Sequence, residues 1–203
     1  GKLGAPRDQL QAARNAKLYP EVASTAQLSE ARALARLGQL DESLRAYHRL
    51  PLHIAAPSEI ARVELTRVLQ QPLGQREWQR FDETIEQAIR ETPDAPDVVI
   101  LRARALVERG RHDEADTLLE EACASSPLHL PLWVSRIELQ TALGNRDAAT
   151  GILGQARMAH GNHVMLVAAE ILLLPADRSA DATALVASIE DRLEEAPREP
   201  LGI

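Results

Sequence analysis

The chain has 203 residues, a formal net charge of −7 and only 2% aromatic side chains. That acidic balance argues against binding to the phosphate backbone of nucleic acid. No apolar run reaches the roughly 18 residues that a membrane-crossing helix needs, and the start does not read as a signal peptide, so direct membrane insertion is not expected. Lys2 and Lys17 are the only lysines, and every other basic chain is arginine. This reads as a GC-rich, bacterial coding bias. Cys123 is alone, so no internal disulfide forms and the compartment stays open between cytoplasm and periplasm.

Taken in order, residues 4–23 read as half of a repeat. A helix is expected from Pro6 to Leu18, with Leu10, Ala13 and Ala16 on one face and Pro20 ending it. The missing first helix suggests that the chain begins inside a longer array. Residues 24–57 read as a full unit. Ser24 or Thr25 caps its first helix, Ala31 and Leu34 pack inward, Gly38 marks the turn, and Leu44, Tyr47 and Leu50 line the second helix. Residues 58–95 are irregular. Ala61, Leu65 and Val68 phase one helix, while Phe81, Ile85, Ala88 and Ile89 phase the next. A short insertion is expected at Gln70–Gln75, with Trp78 opening a lengthened second helix.

Residues 96–129 and 130–163 are one unit written twice. Gly110 and Gly144 are 34 residues apart, as are Ala115 and Ala149, Leu119 and Leu153, Ala122 and Ala156, Val99 and Trp133. Val99, Ala103 and Leu106 share a helical face. Gly110 suits a helix C-cap, because glycine enters the left-handed region without steric cost. Asp113 and Glu114 open the next helix at the positive end of its dipole. Ala115, Leu118, Leu119 and Ala122 form its apolar stripe, and Pro127 stops it. Residues 164–197 begin with an apolar helix, Val164–Leu174, that is either well buried or a docking patch. Ser179 is expected to cap a last helix carrying Leu185, Ile189 and Leu193, with Glu190, Asp191, Glu194 and Glu195 facing water. Residues 198–203 are a tail.

This pattern resembles the tetratricopeptide repeat. That family's 34-residue unit has an apolar or aromatic residue early, small residues where two helices cross, and a late proline. Val99, Ala103, Leu106, Ala115, Leu119, Ala122 and Pro127 fit it. So do Trp133, Ile137, Ala149, Leu153 and Ala156, with Trp133 where the family most often has tryptophan and Tyr47 where it has an aromatic. Arg102, Arg136, Gln140 and Gly161 depart from it. The resemblance implies an all-α, right-handed α-solenoid of stacked antiparallel helix pairs, whose first helices line a concave groove. The groove positions it implies include Arg32, Arg62 and Arg104 as an ascending basic row, followed by Ile100, Val134, Glu138, Met165 and Leu172. Arg104 and Glu138 can instead bond each other. The lysine and asparagine set with which some family members clamp a chaperone's terminal carboxylate is absent.

Catalytic chemistry has no foothold in this pattern. His160 and His163 are three apart but separated by Gly161, His129 and His163 share a repeat position at the unit's end, and no zinc-type spacing accompanies them. Cys123 lies late in a packing helix and reads as a structural thiol. No phosphate loop, nucleophile elbow or dinucleotide fingerprint occurs. The expectation is a protein that is not an enzyme and holds no metal or cofactor: a scaffold binding a peptide or protein in its groove. The alternative is an accessory repeat region of a larger bacterial enzyme or of a cell-envelope assembly for polysaccharide export or secretion. Self-association through the 164–174 helix, or through an unmatched N-terminal helix face, would make a homo-oligomer.

Overall fold

A computed structural model describes residues 20–51, 56–174 and 183–187. In chain order its helices are α1 (Pro20–Arg36), α2 (Leu40–Tyr47), α3 (Pro57–Leu69), α4 (Gln79–Glu91), α5 (Pro96–Glu108), α6 (His112–Ser125), α7 (Leu130–Ala142), α8 (Arg146–His160) and α9 (Val164–Leu173). No strand occurs among the described residues. The helix expected over residues 6–18 lies outside them, and so do Ser179, Ile189 and Leu193 of the expected last helix, of which 183–187 is helical.

The turns between paired helices repeat one geometry. Gly38, Gly110 and Gly144 have φ of 74°, 75° and 77°. The residue after each glycine donates its backbone N–H five residues back: Gln39 to Leu34 at 3.0 Å, Arg111 to Leu106 at 2.9 Å, Asn145 to Gln140 at 2.9 Å. Each glycine N–H bonds three back, to Ala35, Val107 and Thr141. This pair of hydrogen bonds to the last carbonyls is the Schellman ending, and it reverses the chain within a few residues.

The chain divides into two compact units, Gly1–Leu101 and Arg102–Ile203. In the first, α1 packs on α2, α2 on α3 and α3 on α4. Ala31, Leu40, Leu44, Ala46, Tyr47, Leu50 and Val63 form one buried cluster. The Ser43 hydroxyl donates to the Ala31 carbonyl at 2.8 Å, tying α2 to α1 where both are dry. In the second, α6 packs on α7, α7 on α8, α8 on α9, and α7 also on α9 two helices on. Ala115, Ala149 and Ala156 are fully buried, as small residues at close helix crossings must be. Each burial removes apolar area from water at about 25 cal/mol per Å².

Several local expectations change. Helix α1 begins at Pro20, so Pro20 opens a helix, and Ser24 and Thr25 lie inside it instead of capping it. Helix α4 is no longer than α3, each having 13 residues. The connection between them carries a 3₁₀ turn, Leu73–Gln75, and Trp78 sits at the N-cap of α4, its ring edge-on to Phe81 with centroids 6.0 Å apart. On α6 the inward row is Ala115, Leu119 and Cys123, spaced by four, and Ala122 is half-buried. The expected stripe also missed a deeper one. Val98, Leu132 and Leu166 occupy one repeat position and have no exposed surface at all.

The departures from the repeat pattern have physical partners. Arg136 is nearly buried on α7 and reaches back to α6, donating to Asp116 at 2.9 Å and pairing with Glu120 at 2.9 Å. Its stem fills the aliphatic position while its head is neutralised. Gln140 is buried and accepts from the Asn145 side chain at 2.9 Å. Gly161 replaces the proline as a C-cap at φ 61°.

Candidate functional site

Helices α1 and α3 are the first helices of successive pairs. Between them, within the first unit, is a depression of about 510 Å³ whose lining includes Arg32, Arg36, Tyr47, Ser58, Glu59, Arg62, Val63 and Asp97. Arg32 donates its Nε to both Glu59 oxygens, at 3.0 and 3.3 Å, and its Nη2 forms a short ion pair with Glu59 Oε1. The Tyr47 hydroxyl donates to Glu59 Oε2 at 3.2 Å. One carboxylate thus gathers a guanidinium and a phenol from α1 and α2 onto the start of α3. The hydrogen bond to Glu59 raises the Arg32 pKa. Burial, followed by the Glu59 charge, pushes Tyr47 up to about 12.

The expected basic row behaves unevenly. Arg32 is committed to Glu59, so its charge is balanced on site. Arg62 lines the same depression and has no ion pair among the described residues; neither does Arg36, which the sequence reading did not single out. Ile100 is half-buried on α5. In the second unit Arg104 and Glu138 are exposed, and they do not bond each other. Val134 is half-buried. Met165 and Leu172 are 39% and 62% exposed on α9, while Leu166, Val167 and Ala169 of that helix are buried. The apolar helix is therefore two-faced, one side core and the other open.

Of the residues weighed for chemistry, His160, His163 and Cys123 take structural roles. His163 is the N-cap of α9 and its Nδ1 accepts from the Met165 N–H at 3.2 Å. His160 Nε2 lies 3.0 Å from the Pro127 carbonyl, which also accepts from Trp133 Nε1 at 2.9 Å. Cys123 is buried, and burial pushes its thiol up to about 11 despite the opposing Arg136 charge. Among the described residues no three metal-binding side chains converge, and no helix is long and apolar enough to cross a membrane.

No family model matches the chain, and neither does any curated protein. Solved structures do. A tetratricopeptide-repeat protein of Thermus thermophilus, TTC0263, superposes with a TM-score of 0.62 at 24% identity, covering 87% of this chain and 93% of that one. MamA from AMB-1 matches with a TM-score of 0.45 at 14% identity over 88% of this chain and 100% of its own. The first of these carries the comparison, and at such identity it speaks to architecture alone. With the three identical glycine turns and the helix-on-helix packing, it makes the fold of this chain that of a tetratricopeptide-repeat protein, an all-α array of stacked helix pairs.

Proposed function

We propose that the chain is a non-catalytic scaffold that holds a peptide or protein against the first helices of its repeats. The observation that carries this reading is the depression between α1 and α3, whose lining includes Arg36 and Arg62, two side chains that the packing of the repeats does not consume. Repeat proteins commit their small and aliphatic residues to their neighbours and leave the outer faces of the first helices to a ligand. The open side of α9, with Met165 and Leu172, offers a second, apolar surface of the same kind.

Site-specific photocrosslinking tests this. A photoreactive residue at the exposed Thr66 on α3, a first helix, is compared with one at the exposed Glu86 on α4, a second helix. The scaffold reading expects a discrete adduct from Thr66 and none from Glu86. Equal labelling from both positions would remove the first-helix surface from the argument.

A further inference from the structure

We infer that the depression between α1 and α3 takes an acidic peptide, with Arg36 and Arg62 holding a ligand carboxylate beside an aliphatic side chain. This rests on the scaffold reading and specifies what that scaffold recognises. Arg32 is not available for the task, because Glu59 takes its Nε and Nη2 donors and is itself fixed by the Tyr47 hydroxyl. Arg32 is a wall of the site. Arg36 and Arg62 keep their guanidinium donors unspent among the described residues. Other arginines, such as Arg67 with Glu64, Arg111 with Glu114 and Arg157 with Glu170, are matched, and Arg80, Arg102, Arg104 and Arg146 are unpaired among the described residues as well; what distinguishes Arg36 and Arg62 is that they line one depression together. The position of Arg36 in the last turn of α1 suits the helix dipole, but the dipole uses its charge and not its hydrogen bonds. A guanidinium presents a planar fork that matches a carboxylate with two parallel bonds, and both Arg36 and Arg62 are exposed to an incoming ligand.

The balance of charge sets the size of the ligand's anion. The lining holds three guanidiniums against the carboxylates of Glu59 and Asp97, which leaves one positive charge in excess. That suits one side-chain carboxylate. It does not suit a polyanion, which would also meet a molecule of net charge −7. Ala35 and Val63, on the same lining, are the apolar floor against which a neighbouring aliphatic residue rests.

Fluorescence anisotropy with defined probes tests the inference. The probes are a short labelled peptide with one glutamate between leucines and otherwise neutral residues, its glutamine and lysine counterparts, and a single-stranded oligonucleotide of equal length. Binding is expected for the glutamate peptide alone, weakening as salt rises. Arg36→Gln and Arg62→Gln should each weaken it by about tenfold or more, a change of about 1.4 kcal/mol. Thermal melts of the variants confirm that they fold. Amide shift mapping should centre on residues 35, 36, 58, 62 and 63. Undiminished binding by both folded variants, or equal binding of the glutamine, lysine or oligonucleotide probe, would overturn the inference. Selective binding of the lysine peptide with shifts on α1 and α3 would do so while leaving the scaffold reading intact. A first-helix surface that also fails to crosslink any partner would remove both.

Discussion

Replacing Gly110 with alanine separates torsional strain from packing. The residue has φ 75°, and a Cβ built there meets no atom within 4 Å. An L-residue in that region costs about 1–2 kcal/mol through its own backbone. Alanine also narrows the unfolded ensemble, which returns about 0.4–1 kcal/mol. The net loss is about 1 kcal/mol, a fall in melting temperature of about 2–4 °C for a chain of this size. Gly151 and Gly154 supply the opposite sign. They lie inside α8, are exposed, and likewise meet nothing within 4 Å. There alanine should stabilise by about 0.5–1 kcal/mol, because glycine is a poor helix former. Urea denaturation followed by circular dichroism measures both. Gly38→Ala and Gly144→Ala should match Gly110→Ala, since the three turns share one geometry. If Gly110→Ala and Gly151→Ala shifted the midpoint in the same direction, the assignment of strain to the left-handed turn would be wrong.

Leu132→Ala should cost about 2–5 kcal/mol by denaturant titration, because Leu132 has no exposed surface and its neighbours belong to packed helices. Arg136→Met keeps the stem and loses the pairing to Asp116 and Glu120. A loss of about 1–2 kcal/mol is expected, and a double-mutant cycle with Asp116→Asn should return a coupling of about 0.5–1.5 kcal/mol. A coupling of zero would make the pair incidental. Cys123 has a thiol raised from 9.0 to about 11 in the folded state. Below pH 9 the thiol is protonated in both states and has no pH effect; between pH 9 and 11 the unfolded thiol ionises while the folded one does not, so stability falls as pH rises. Cys123→Ala should reduce the fall between pH 9 and 10, below the range where the raised Tyr47 phenol adds its own, and iodoacetamide should label the wild type at pH 8 only after denaturant is added.

What could be read ahead of the structure follows from what each interaction needs. The turns at Gly110 and Gly144 were legible because a left-handed ending needs glycine, and its spacing is written in the chain. Ala115 and Ala149 were legible because close crossings need small side chains. Val98, Leu132 and Leu166 were overlooked because a single-stripe reading assumes burial on one side, and α7 packs against α6, α8 and α9. Cys123 displaced Ala122 because the inward row of α6 runs in steps of four, a phase that the offset to α8 hid. The start of α1 was misplaced because Pro20 is equally at home ending one helix or opening the next. At the candidate site, Arg32 was named and its partner was not. Glu59 is 27 residues on, at no helical spacing, and only the stacking of α3 on α2 brings it there. Arg36 escaped because the family's inward positions do not include it.

The chain has two tryptophans, Trp78 before α4 in the first unit and Trp133 within α7 in the second. Each indole senses different surroundings: Trp78 stands against the Phe81 ring, and Trp133 is sunk in the core with its N–H on the Pro127 carbonyl that His160 also meets. The protein therefore carries its own pair of optical gauges, one per half. Emission from single-tryptophan versions will report whether the halves come apart together or in turn, with no dye or tag attached.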